Sequence, residues 1–177
     1  MRTSRPPVEG LSFRLLDDRD SFDELTELLH RAYAPLAAMG LRYVATHQSV
    51  EVTRKRTAAG ECWVGDLGGR LVATITLVPP GKAKGAPWYE RGDVAKIQQL
   101  AVEPELQGRG IGSALMVLAE DRARALGARE VALDTAEGAA HLIRRYEARG
   151  YRFVSHADWR PHTSYRSVIL SLALPAL

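Results

Sequence analysis

The chemically informative stretch of this 177-residue chain is Leu100-Ala101-Val102-Glu103-Pro104-Glu105-Leu106-Gln107-Gly108-Arg109-Gly110-Ile111-Gly112-Ser113. An apolar strand pattern runs into a short loop, then a glycine-rich turn, then the start of a helix. Unpaired N–H groups at a helix start, reinforced by the helix dipole, form a site for a phosphate or diphosphate. Glycine at 108, 110 and 112 removes the Cβ atoms that would hold a phosphate off the backbone. Arg109 can add a charge-assisted contact. Three readings compete. A P-loop needs G-x-x-x-x-G-K-[ST], and no such string occurs. A dinucleotide fingerprint sets its glycines directly after the strand. Here four or five residues intervene between Val102 and Gly108, and Ser113 stands where the third glycine would fall. On glycine content alone, a turn whose glycines serve only geometry stays open.

A second motif follows in Arg145-Tyr146-Glu147-Ala148-Arg149-Gly150-Tyr151. With both on the page, the sequence resembles the GNAT superfamily of N-acetyltransferases. Gln107-Gly108-Arg109-Gly110-Ile111-Gly112 matches that family's [QR]-x-x-G-x-[GA] signature. Leu100-Ala101-Val102-Glu103-Pro104 is similar to the end of the family's fourth strand, and the 145–151 run to its L-Y-x-x-x-G-F. The strong similarity spans about residues 94–155; residues 11–80 match only in element order. The resemblance implies an α/β (α+β) fold: a mixed, mostly antiparallel central sheet of about seven strands, flanked by about four helices and splayed between strands 4 and 5. It further implies acetyl-CoA as co-substrate, its pantetheine arm in that gap. The backbone of Leu100, Ala101 and Val102 would line the arm, and Gln107, Gly108, Arg109, Gly110, Ile111, Gly112 and Ser113 would hold the pyrophosphate. The chain departs from the family at Ala139, where an asparagine is common.

The resemblance also implies direct acetyl transfer in a ternary complex, with Tyr146 as the acid that protonates the leaving thiolate. Tyr146 equally shares a helix face with Ala139, Leu142 and Ile143, which is the core alternative. A lysine-like amine, with a pKa near ~10.4, is almost wholly protonated at neutral pH, so a base or desolvation is needed. The glutamate that serves some relatives corresponds to Lys96, and a histidine used by others to Gln98. Asp93, Glu103, Asp134, His141 and a water chain remain as candidates. Cys62, beside Trp63 and Val64 in an apolar strand, reads as a buried, inert thiol. No metal is expected, since His156 and His162 lack the spacing of a zinc site.

These residues need a frame to position them. Ser21-Phe22-Asp23-Glu24 reads as a capping box opening a helix with Phe22, Leu25, Leu28, Leu29, Ala32 and Tyr33 on one face, ended or bent at Pro35. A second helix is expected over Ser49 to Ala59, stopped by Gly60. Strands at 11–15, 62–66, 71–78, 94–102, 130–134, 151–154 and 167–174 alternate with helices at 110–126 and 139–149. Gly68-Gly69 makes a hairpin turn, Gly127 and Gly150 close helices, and the Pro- and Gly-rich stretch 79–92 reads as a flexible loop. On the helix at 110–126, Ile111, Leu115, Leu118 and Ala125 mark the expected buried face.

The first ten residues are expected as a flexible lead-in to a single domain over 11–177. The net charge of +3 is spread among carboxylates, so no nucleic-acid partner is expected. No apolar run reaches ~18 residues and no signal-peptide pattern is present, so no membrane partner and a cytoplasmic location are expected. The expected partner is a small-molecule amine acceptor. His30, Tyr33, Met39, Tyr43, Trp88, Tyr89, Trp159 and Tyr165 fall in the acceptor region, where the aromatics could cage an ammonium or pack as core. A homodimer through the final strands is also expected. Two alternatives stay open: an acetyltransferase of a protein N-terminus or lysine, and a non-catalytic acyl-CoA-binding sensor.

Overall fold

The computed structural model describes residues 8–175. Seven strands form one mixed sheet in the order β1-β2-β3-β4-β5-β7-β6. They are β1 Leu11–Leu15, β2 Glu61–Leu67, β3 Arg70–Val78, β4 Val94–Val102, β5 Glu130–Ala136, β6 Arg152–Asp158 and β7 Arg166–Ala173. Four α-helices accompany them: α1 Phe22–Ala38, α2 Val50–Thr57, α3 Ile111–Ala125 and α4 Ala140–Ala148. All strand pairs are antiparallel except β4 with β5. Val8 packs on the main core and its carbonyl accepts the Leu11 N–H, so ordered chain begins inside the expected lead-in. Residues 1–7 of that lead-in, and the last two residues, lie outside the described residues.

The helix boundaries follow local chemistry. Ser21 accepts the Glu24 N–H at 3.2 Å, as a cap should. The expected box is only half formed. Glu24 does not turn back to Ser21; its Oε1 accepts the Leu71 N–H of β3 at 2.9 Å, because that buried amide would otherwise lack a partner. Pro35 does not end the helix, which continues to Ala38. On α3 the buried stripe is Ile111, Leu115, Met116, Ala119 and Ala123. Leu118 lies at its margin and Ala125 is exposed, against expectation, because the stripe steps by four residues and drifts around the helix. The 79–92 loop is not loosely held. It buries Ala83, Ala86 and Tyr89 against Val78, Val94, Ala132 and Ile169.

The sheet is covered on both faces. α3 packs over β3, β4 and β5 with the main core beneath it. α1 and α2 cover the opposite face, where Leu25 and Leu28 meet Cys62, Val64 and Leu71. The feature that positions the site is the β4–β5 pairing. It spans only Val94–Lys96 against Glu130–Ala132, after which the strands part.

Candidate active site

Two irregularities in β4 shape the gap. Gln98 opposes Thr76 and Ala101 opposes Thr74, so Gln99 and Leu100 together face Ile75 of β3. This is a β-bulge, and Gln99 adopts φ 55°, a left-handed conformation uncommon for a residue with a side chain. The extra residue reverses side-chain parity. Before it, Ala95 and Ile97 face α3; beyond it, Leu100 and Val102 do. Lys96 and Gln98 thus face the α1–α2 side, with Gln98 Nε2 donating to the Arg56 carbonyl at 3.0 Å.

The bulge also sets the backbone. Glu103 N–H donates to the Val72 carbonyl, so alternation turns Ala101 and Glu103 toward β3, and Leu100 and Val102 toward the gap. There the Tyr33 hydroxyl donates to the Leu100 carbonyl at 2.9 Å, and Gln107 Nε2 to the Val102 carbonyl at 3.1 Å. Ala101 itself buries its methyl against Leu29 and Ala45, flanking the open edge. The strand then enters a 3₁₀ turn at Pro104–Leu106 and the glycine turn. Gly108 (φ 76°) and Gly110 (φ 85°) take left-handed conformations, and Gly110 is the N-cap of α3 without a side-chain capping bond. Arg109 and Ser113 are exposed beside this mouth, whereas Ile111 is buried, so only its backbone is available there. A Cβ built on Gly112 would lie 3.6 Å from Val102 Cγ2, in the angle between β4 and α3. The first turn of α3 therefore presents bare N–H groups beside the open edge of β4, a geometry suited to a pyrophosphate with a strand-like tail.

Tyr146 reaches the gap from α4. Its ring lies 6.0 Å from that of Tyr151, and it packs against the main core. Among the described residues its hydroxyl has no hydrogen-bond partner, and burial together with the nearby Tyr43 pushes its pKa up to about 12. Tyr33, also raised by burial, feels the charge of Tyr146. Ala139 caps α4 without a side-chain bond.

The candidate bases are accounted for otherwise. Glu103 is only 2% exposed and is held by Arg31 at 2.9 and 3.1 Å, with Arg70 at 3.5 Å. Asp93 pairs with Arg91 at the start of β4, and His141 is exposed on α4. Asp134 accepts from Tyr89 Oη at 2.6 Å and Trp159 Nε1 at 3.1 Å. The aromatic cage expected for an acceptor ammonium holds the protein's own Lys96 instead. Its Nζ lies 4.5 Å from the centre of the Tyr89 ring, 5.4 Å from that of Trp159 and 3.8 Å from Asp134 Oδ1. Burial lowers the Lys96 pKa. Trp88 is stacked under Arg91, Tyr43 bonds Thr135, and Met39 is exposed at the end of α1.

Sequence reasoning missed a polar chain that crosses the α1–α2 side. Gln48 Nε2 donates to Thr53 Oγ1 at 2.7 Å and to Gln99 Oε1 at 2.8 Å, which leaves Gln48 Oε1 to accept Arg56 Nη1 at 2.7 Å. His30 Nε2 meets the Gln48 carbonyl at 2.8 Å. No local pattern signals this chain, because its link to the bulge, Gln48 to Gln99, joins residues 51 positions apart. Cys62 is buried 3.5 Å from Thr74 Oγ1, with its pKa raised by burial. His156 pairs with Glu137 at 3.3 Å. Among the described residues no three His, Cys, Asp or Glu side chains gather as a metal site, and no helix is long and apolar enough to cross a membrane.

Comparison with known proteins agrees with this geometry. Residues 22–151 match the acetyltransferase (GNAT) family. The S-(2-succino)cysteine N-acetyltransferase of Bacillus subtilis (strain 168) is 34% identical over 141 residues, 78% of this chain and 82% of that protein. An S-alkylcysteine N-acetyltransferase of the same organism is 25% identical over 117 residues, 62% of this chain and 59% of its own length. Among solved structures, a GNAT family acetyltransferase from Elizabethkingia anophelis with acetyl-CoA bound superposes with a TM-score of 0.67 at 14% identity, covering 94% of this chain and all of that one.

Proposed function

Because the chain belongs to the acetyltransferase (GNAT) family, we propose that it transfers the acetyl group of acetyl-CoA to the amine of a small molecule, and that this amine is the α-amine of an S-substituted cysteine or similar amino acid. The observation that carries this is the gap between β4 and β5. On its α3 side, Leu100 and Val102 turn backbone groups toward bare N–H groups at Gly110–Gly112; on its α1–α2 side stand the polar and aromatic side chains of Tyr33, Gln48, Arg56 and Gln98. The first suits acetyl-CoA and the second a compact acceptor. Relatedness to two cysteine-derivative N-acetyltransferases supports the acceptor class.

In this reading acetyl transfer is direct. The acceptor nitrogen forms a bond to the thioester carbon, the carbon–sulfur bond breaks, and the nitrogen's proton passes to solvent. Tyr146, kept protonated by burial, gives a proton to the departing sulfur and regains one from solvent once the products leave. The residues around the gap hold both partners in register and exclude water, which removes much of the entropic barrier.

A thermal-shift titration with acetyl-CoA, followed by a free-thiol assay across amines, tests this. Stabilisation by acetyl-CoA and thiol release with S-methylcysteine are expected. Tight acetyl-CoA binding with no thiol released by any amine would instead support an acyl-CoA sensor.

A further inference from the structure

We propose that Arg56 is the acceptor's carboxylate-binding residue: its guanidinium takes the α-carboxylate and sets the α-amine toward the thioester. This rests on the acetyl-transfer reading above and adds which group of the acceptor is recognised and by what.

Arg14, Arg91, Arg122, Arg124 and Arg149 are the other partly buried arginines among the described residues, and each holds a carboxylate: Asp20, Asp93, Glu61, Asp121 and Glu120. Arg56 has none. A guanidinium offers five N–H donors, and the described residues engage one of Arg56's, through Gln48 Oε1 at 2.7 Å. Desolvating a cation without a counter-charge is unfavourable, and burial indeed lowers its pKa. The remaining arginines without carboxylates, such as Arg42, Arg54, Arg109 and Arg144, are exposed and solvated.

Its position points the same way. Arg56 stands on α2 above β4, and its carbonyl accepts from Gln98. The charged and titratable groups that reach it come from several elements: Tyr33 of α1, Lys96 of β4, Asp134 of β5 and Tyr165 of the β6–β7 loop. Asp134 is already committed to Tyr89, Trp159 and Lys96, so Arg56 keeps unused donors. The Gln99–Gln48–Arg56 chain ties the guanidinium to the bulge that opens the gap, fixing it relative to the edge where the thioester would lie. A planar fork held rigidly suits a carboxylate.

The arrangement also addresses the missing base. An ammonium brought beside Arg56 and Lys96 is disfavoured by both cations, and Asp134, which would favour it, is already paired with Lys96. Binding the carboxylate to Arg56 also removes the nearby negative charge that holds the acceptor's own proton. Both effects lower the amine's pKa, so no dedicated side-chain base is required.

The test compares S-methylcysteine with S-methylcysteamine, its decarboxylated counterpart, in the wild-type protein and in Arg56→Gln, by thiol release. The readout is the ratio of kcat/KM values for the two amines. The ratio is expected to fall about 100-fold in the variant, and Arg56→Lys, which keeps charge but not the fork, should restore part of it. An unchanged ratio overturns the assignment while leaving acetyl transfer intact. A general loss, equal for both amines, also overturns it and marks Arg56 as structural. No thiol release from the wild-type protein with any amine removes the acetyl-transfer reading and this assignment with it, whereas release with other amines but neither of these two overturns this assignment alone.

Discussion

Lys96 Nζ stands 3.8 Å from Asp134 Oδ1, across the point where β4 and β5 separate. Lys96 belongs to the last residue pair between the strands, and Asp134 lies just beyond it on β5. Asp134 also takes the Tyr89 hydroxyl and the Trp159 indole N–H, so one carboxylate ties the 79–92 loop and the β6–β7 loop to the mouth of the gap. Asp134→Asn leaves Lys96 enclosed by rings without a counter-charge. A loss of about 2–3 kcal/mol is expected from urea unfolding. The pH dependence carries a sign. Burial holds Lys96 below its ordinary value, so between its folded and unfolded pKa values the unfolded chain binds more protons, and stability rises with pH. Without Asp134 that window widens downward and the rise steepens. Parallel stability–pH curves for the two proteins at alkaline pH would refute the coupling.

Gly112 measures the room left at the first turn of α3. It sits in the first turn of α3, and a methyl there meets Val102 Cγ2 at 3.6 Å, an ordinary contact. Alanine within a helix is favoured over glycine by about 0.5–1 kcal/mol. Gly112→Ala should therefore keep or raise Tm. The family signature admits alanine at this place, so the methyl is compatible with a diphosphate on the first turn, and the Kd for acetyl-CoA is expected to stay within about threefold, under ~1 kcal/mol. Calorimetry finding affinity lost in this well-folded variant would show that the diphosphate does not rest on this turn as the signature implies.

Much of the fold was legible because its punctuation is local. Gly68-Gly69, Gly127 and Gly150 stop their elements where chain geometry demands positive φ, and β4 spans Val94–Val102 as its apolar pattern and flanking loops indicate. The glycine turn was legible for the same reason. The bulge was not: glutamine carries no preference for φ 55°, and Gln99 adopts it because β3 and the Gln48 amide hold it there. Arg56 was hidden among the chain's many arginines. Only tertiary pairing shows that its partly buried counterparts hold carboxylates and it does not. Nor could sequence reveal that Tyr89 and Trp159 surround the protein's own Lys96.

Cys62 tests whether transfer is direct. Its thiol is buried in β2 near Thr74, and burial raises its pKa, which suppresses the thiolate needed for nucleophilic attack. Cys62→Ala should retain turnover within about twofold, with at most ~1–2 kcal/mol lost to the small cavity. The native protein should also resist alkylation until unfolded. Loss of activity with retained acetyl-CoA binding would instead indicate an acyl-enzyme on this sulfur.

Tyr146 is the last test, and its pH behaviour distinguishes an acid from a packing residue. The thiol of coenzyme A is an alkyl thiol like that of cysteine, whose pKa is near ~8.5, so the departing sulfur is a base that benefits from a proton as the bond breaks. Burial pushes Tyr146 up to about 12, so its proton stays in place throughout the range in which an amine acceptor becomes neutral. The rate should thus rise with pH along one limb, set by the acceptor, with no decline from Tyr146 below about pH 10. Tyr146→Phe keeps the ring against Tyr151 and the core and removes only the hydroxyl, which has no partner among the described residues, so stability should hold within about 1 kcal/mol. If the hydroxyl is the acid, kcat falls about 10²–10³-fold while acetyl-CoA affinity stays within about threefold. The deficit should shrink with an acyl donor whose leaving thiol is more acidic, since such a thiolate needs less help. A variant with normal kcat, or one equally impaired with every donor, would show that Tyr146 merely fills space beside the gap.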